Sequence, residues 1–323
     1  MAVWGASVKL IDALNTLVNK GYFSCSARSF WGISGKMWKL CTILNQPNFS
    51  MTDSEYSIAF KHLNYFECNI PSALLQFQNI TPNSAQWFTL GMLQRLLNAS
   101  VAIKVLLPEY LKKSLYDFSI GIILRPIILD ALIGLNLYAL LKNGLAEKLE
   151  NKKLIDKVDA FCNAILADGL IQTLKYFKQM ESYGLAEADK LTEMYNHFSV
   201  KYSDFLIQAC GINTMPRPKH KIESKANNQF KNLADDQDMK TIGHRLYGLY
   251  TIYSKYDHFG FLSLELSDNE KKIQSDRISA TLSLFVNHYA NLCDILQRVT
   301  PNDIVVKDIF LSSQEYLSNK YSV

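Results

Sequence analysis

Residues 120–141 read IGIILRPIILDALIGLNLYALL, a run interrupted only by Arg125, Pro126, Asp130 and Asn136. At ~1.5 Å per residue a helix of this length reaches across a bilayer. A segment so apolar has to leave water, either into lipid or into the centre of a protein. Arg125 and Asp130 decide between the two. Each charge near the middle of a membrane helix costs ~2.5–3.5 kcal/mol, which offsets most of what the leucines and isoleucines contribute. The expectation is a fully buried core helix, with no membrane partner, around which the rest of the chain supplies cover.

Composition says what that cover is. With 14 glycines and 8 prolines in 323 residues, the two make up about 7% of the chain, against a usual ~12%. Sandwiches, barrels and βαβ units need those residues at their many turns, so the scarcity points to few turns and long helices. At 48% hydrophobic and 20% charged the chain can bury a core and is not disordered. Its net charge of +4 is too mild for a dedicated DNA binder. The fold expected is all-α: a multi-helix bundle with long antiparallel helices and a mobile polar loop.

Periodicity divides the chain into four parts. Residues 1–80 form an N-terminal helical lead-in, where Val8, Ile11, Leu14, Leu17 and Val18 recur at helical spacing before Gly21. An aromatic stretch over 22–49 follows, helical patterning resumes at 53–66, and Pro71 opens a further short turn. Residues 81–212 form a central bundle. Thr81-Pro82 starts a helix, Pro108 restarts the chain, and Asn143-Gly144 caps the long apolar segment. Next come 145–180, with Leu154, Val158, Phe161, Ile165, Leu166, Ile171 and Leu174 as apolar positions, and an amphipathic stretch over 187–210. Residues 213–240 lack apolar periodicity and carry Pro216, Pro218, Lys219, His220, Asp235, Asp236 and Asp238, the composition of a mobile polar loop. Residues 241–323 complete the bundle. Ser267-Asp268-Asn269-Glu270 opens the strongest helix, where Ile278, Leu282, Phe285, Tyr289, Leu292 and Leu296 alternate steps of four and three. A short helix over 304–317 closes the chain.

The cysteines at 25, 41, 68, 162, 210 and 293 form no C-x-x-C pair. They read as isolated buried thiols in a reducing, cytoplasmic compartment. The first residues lack a basic region followed by an unbroken apolar stretch, so no signal peptide is expected. Gly32-Ile33-Ser34-Gly35-Lys36 misses both the leading glycine and the Ser/Thr of a phosphate loop. There is no G-x-S-x-G elbow and no H-E-x-x-H helix, and Asp235-Asp236-Gln237-Asp238 lacks the glycine and glutamate of a calcium loop. No cofactor and no metal are expected.

Two constellations remain. On a helix, Tyr247, Tyr250, Thr251, Ser254 and His258 fall on one stripe that is polar-aromatic rather than aliphatic. Such a stripe either hydrogen-bonds a ligand or partner helix, or packs as core with its hydroxyls at the rim. His244 and His258 would stand ~21 Å apart on one helix and cannot share a metal. The second constellation is Arg125 with Asp130. Five residues apart, they point ~140° from each other, so each needs a partner on a different helix. Asp257 is a candidate for Arg125, and His258 or a tyrosine for Asp130. The candidate ligand-binding set is therefore Arg125, Asp130, Tyr250, Ser254, Asp257 and His258.

An apolar helix carrying Arg125-Pro126-Ile127-Ile128-Leu129-Asp130, followed later by Tyr253-Ser254-Lys255-Tyr256-Asp257-His258, resembles a loosely defined family of uncharacterised bacterial all-helical proteins. The likeness spans about residues 80–300 and implies a helical bundle with a polar cluster between helices. More distantly the chain resembles the HEPN helical-bundle ribonucleases of defence and toxin–antitoxin systems, which cleave RNA without a metal through R-x(4–6)-H. No arginine here stands five to seven places before a histidine. Such chemistry would need Arg125 to hold phosphate and His258 to exchange protons as the catalytic pair. The function expected first is a cytoplasmic bacterial interaction or ligand-binding module, its partner another protein or a second copy. The alternative is a metal-independent ribonuclease.

Overall fold

The computed structural model describes residues 54–77, 82–112, 116–184, 187–207, 217–219, 225–233, 237–256 and 271–300. The helix expected from Val8, the Gly32–Lys36 fragment, Cys25, Cys41, Cys210, Asp257, His258 and the helix over 304–317 lie outside the described residues. The chain divides after Thr52, and the fold below belongs to the second unit.

Eight helices make up the architecture among the described residues: α1 Ser54–Gln76, α2 Ser84–Lys112, α3 Tyr116–Ala146, α4 Asn151–Ser182, α5 Ala188–Lys201, α6 Ala226–Lys231, α7 Gln237–Tyr253 and α8 Lys271–Val299. The all-α multi-helix bundle is thus what the chain forms. A single antiparallel bridge, β1 Leu206–Ile207 with β2 Arg217–Pro218, pairs Leu206 with Pro218 and Ile207 with Arg217.

The core is built from α1, α2, α3 and α8 packed side by side, with α7 laid along α3 and α6 wedged against both. The seam read in α8 is buried along its whole length, each of Ile278, Leu282, Phe285, Tyr289, Leu292 and Leu296 at most 1% exposed. In α1, Ala59, Leu63, Phe66, Ile70, Ala73 and Phe77 keep the same alternation of four and three and are likewise buried. Tyr65 and Phe66 of α1 meet Tyr289 of α8 edge to face. Within the expected lead-in over 1–80, where the sequence shows helical patterning over 53–66, residues Ser54–Gln76 form a helix that belongs to the core.

Three prolines lie inside helices: Pro71 in α1 and Pro108 in α2, both read from the sequence as breaks, and Pro126 in α3. Each removes one N–H and frees the carbonyl four residues earlier. For Pro126 that carbonyl belongs to Ile122, and both residues face water, so the freed oxygen is not stranded in the core. At the start of α2, Asn83 accepts from the Gln86 N–H at 2.8 Å while Asn83 N donates to Gln86 Oε1 at 3.0 Å, a reciprocal capping box. Asp159 of α4 accepts from Ala85 N at 2.9 Å and ties the two helices together.

Gly144 is not a cap but a point of contact. A Cβ there would stand 2.5 Å from Leu154 Cδ1, so the glycine lets α3 and α4 approach, and the helix runs on to Ala146. The first half of α4 packs on the bundle, and its second half carries a satellite core of Ile171, Leu174, Phe177, Leu191 and Leu206. Within the stretch 213–240, residues 217–219, 225–233 and 237–240 are described. Residues 226–231 are helical, Ala226, Gln229 and Leu233 are buried, and α7 begins at Gln237. Cys162 and Cys293 are buried free thiols as expected, whereas Cys68 is exposed.

Candidate functional site

Each of the two charges of α3 meets a group on another helix. Asp130 faces α2, where Arg95 Nε stands 3.0 Å from its Oδ2. Among the described residues it is Arg95, and not a tyrosine, that meets Asp130; His258 lies outside them. The Asp130 side chain is 7% exposed and that of Arg95 56%, so a buried carboxylate is met from the surface. Their contact is close but not aligned as a hydrogen bond. Burial raises the Asp130 pKa to about 7, and the Arg95 charge opposes only part of that rise.

Arg125, on another face of α3, lies with its Cζ 5.3 Å from the centroid of the Tyr250 ring on α7. This cation–π contact brings two of the expected site residues together. The other described residues of the stripe, Tyr247, Thr251 and Ser254, bond or pack within the protein. Tyr247 stacks on Phe230 of α6 at 5.0 Å with the rings 4° from parallel. Thr251 donates to the Tyr247 carbonyl at 2.9 Å and Ser254 to the Thr251 carbonyl at 2.7 Å, both within their own helix. His244 is exposed and lies against the edge of Phe230 at 4.7 Å. Arg125 and Tyr250 therefore converge, while Asp130 turns to a different helix and Ser254 bonds its own backbone.

A cleft of about 480 Å³ between α3 and α4, reaching Asn232 after α6, and an open groove of about 780 Å³ along α5 contain none of Arg125, Asp130, Tyr250 or Ser254. Among the described residues no three His, Cys, Asp or Glu side chains gather as a metal site would require.

Several polar residues of the core were not singled out from the sequence. Asn136 of α3 donates to Gln229 of α6 twice, to the backbone carbonyl at 2.7 Å and to Oε1 at 3.0 Å, a fully buried lock. Gln274 accepts from Tyr110 at 2.9 Å and thereby joins α8 to α2. His288 packs so closely on α3 that a Cβ at Gly134 would stand 2.7 Å from its Cε1. Neither ring nitrogen finds a hydrogen-bond partner among the described residues, and burial drives its pKa down to about 3, leaving a neutral ring. The signal for Arg95 was present: it is a charge set in the apolar run 85–107, just as Arg125 is in its own. His288 adjoins Tyr289 of the α8 seam, and only its place beside that buried stripe hinted at burial.

Among the described residues two helices are long and apolar enough to cross a membrane, over Ser84–Tyr110 and Phe118–Ala146. About half of the first window and 61% of the second are buried within the protein. Compared with known protein families, curated proteins and solved structures, the chain finds no match.

Proposed function

We propose that this chain is a cytoplasmic helical interaction module rather than an enzyme. The observation carrying the proposal is how the polar atoms of the α3–α7 stripe are used. The Arg125 guanidinium lies on Tyr250, Asp130 meets Arg95, and the Thr251 and Ser254 hydroxyls bond carbonyls of their own helix. Groups engaged in this way hold helices in register and are not offered to a substrate. Free buried thiols at Cys162 and Cys293 suit a reducing compartment, and the Arg95–Asp130 pair between α2 and α3 suits a water-soluble bundle whose two apolar helices cover each other.

The ribonuclease alternative needs Arg125 to hold a phosphate, and its cation–π contact with Tyr250 competes with that role. The test is direct. Purified protein is incubated with structured and unstructured RNA in EDTA, beside the His258→Ala variant. The module reading expects no cleavage by either protein. EDTA-resistant cleavage by the unmutated protein, abolished in His258→Ala at unchanged melting temperature, would overturn it and establish the ribonuclease.

A further inference from the structure

Among the described residues, helix α5 is packed against α4 on one side. Leu191, Tyr195 and Phe198 turn toward α4, while Asp189, Glu193, His197, Lys201 and Val200 face water, the last 71% exposed. Along its outer ridge, at steps of four, stand Asp189, Glu193, His197 and Lys201. That order reads acid, acid, base, base, and it is symmetric about Tyr195. When the same row is laid against itself in the opposite direction, Asp189 meets Lys201 and Glu193 meets His197, at two equivalent places each.

We propose that the outer face of α5 binds the same face of a second copy of this chain, antiparallel and across a two-fold axis passing between Glu193 and His197. Ridges made of residues four apart are the ones that interdigitate in the commonest helix crossing, at about −50°. Two such ridges then run alongside each other, and charges placed along them come face to face. A two-fold contact demands a self-complementary surface, in which residue i meets j and j meets i. The row on α5 has that property. Val200 adds apolar area next to the charged row, and Asp189, Glu193, His197 and Lys201 are all exposed. The same order of charges also favours the dipole of a single helix, so a protein that gains only that benefit is monomeric.

One helix face of this length gives a small interface, and the expected dissociation constant is ~100 µM, typical of weak and transient contacts. Sedimentation velocity from micromolar to near-millimolar protein measures it. Asp189→Lys and Lys201→Asp should each raise the dissociation constant at least ~10-fold, because each sets like charges opposite one another. An equimolar mixture of the two variants should recover a dimer, since the lysines at 189 and 201 of the Asp189→Lys variant then face the aspartates at 201 and 189 of the Lys201→Asp variant, and both outer pairs become opposite in sign. The double variant should recover it as well. If one outer variant fails to fold by circular dichroism, Glu193→Lys paired with His197→Glu performs the same exchange at the inner positions. A wild-type protein that stays monomeric throughout overturns the proposal, as does a dimer indifferent to the swaps or a mixture that remains monomeric. This contact is separate from the α3–α7 stripe, so its outcome and that of the RNA test are independent.

Discussion

Replacing Asp130 by asparagine keeps the side chain's shape and removes its charge. In the folded protein the carboxyl has a pKa of about 7, raised by burial, against 3.8 for the unperturbed group. The folded state therefore binds a proton more tightly than the unfolded state does. Stability from this residue is complete below the unfolded value and is lost as pH rises through the window between the two pKa values. The difference of about three units, at 1.36 kcal/mol each, sets a cost of about 4 kcal/mol above pH 8. At pH 5 only about 1.5 kcal/mol of it has been incurred, by the same linkage. Asp130→Asn should thus stabilise the protein by about 2–4 kcal/mol at pH 8 and by about 1 kcal/mol at pH 5. Urea unfolding followed by circular dichroism at pH 5, 6, 7 and 8 measures the difference. Arg95→Ala supplies the contrast, a loss of no more than about 1 kcal/mol at pH 8, because the exposed guanidinium is screened by water. If Asp130→Asn destabilises the protein at pH 8, the Arg95 pair outweighs the burial cost and the reasoning is wrong.

Phe285 sits fully buried in the α8 seam, and Phe285→Ala should cost about 3–5 kcal/mol in the same urea assay. Gln229→Ala deprives the buried Asn136 amide of its side-chain acceptor and should cost about 1–3 kcal/mol, seen as a lowered melting temperature. Gly134→Ala drives a methyl group against His288 and should destabilise by about 1–3 kcal/mol. Gly248→Ala, on α7 with nothing within 4 Å of the added carbon, should stabilise by about 0.5–1 kcal/mol. Equal thermal shifts in the two glycine variants would contradict the packing described for His288.

Much of the α8 helix and the burial of residues 120–141 could be read from the amino-acid order, because both depend on one quantity, apolar side chains repeating at helical spacing. So could the rule that Arg125 and Asp130 must look to different helices, which follows from 100° of rotation per residue. The identity of the partners could not. Arg95 reaches Asp130 because α2 lies beside α3, and that adjacency is a property of packing that no local pattern encodes. The prolines teach the same lesson from the side of energy. Each costs about 3 kcal/mol or more within a helix, and local reading ends the helix there. Continuing past Pro71 buries Ala73 and Phe77, and continuing past Pro108 buries Tyr110 and satisfies its hydroxyl on Gln274. Burial at about 1.5–3 kcal/mol per large side chain, together with the hydrogen bond, outweighs the break. In the polar stretch 226–233, similarly, Asn136 and Phe230's neighbours on α3 and α7 impose order that composition concealed. Periodicity along the chain determines which side of each helix is apolar. Which helix meets which, and hence which charge is sealed, is decided only when the bundle closes and desolvation acts on every group at once.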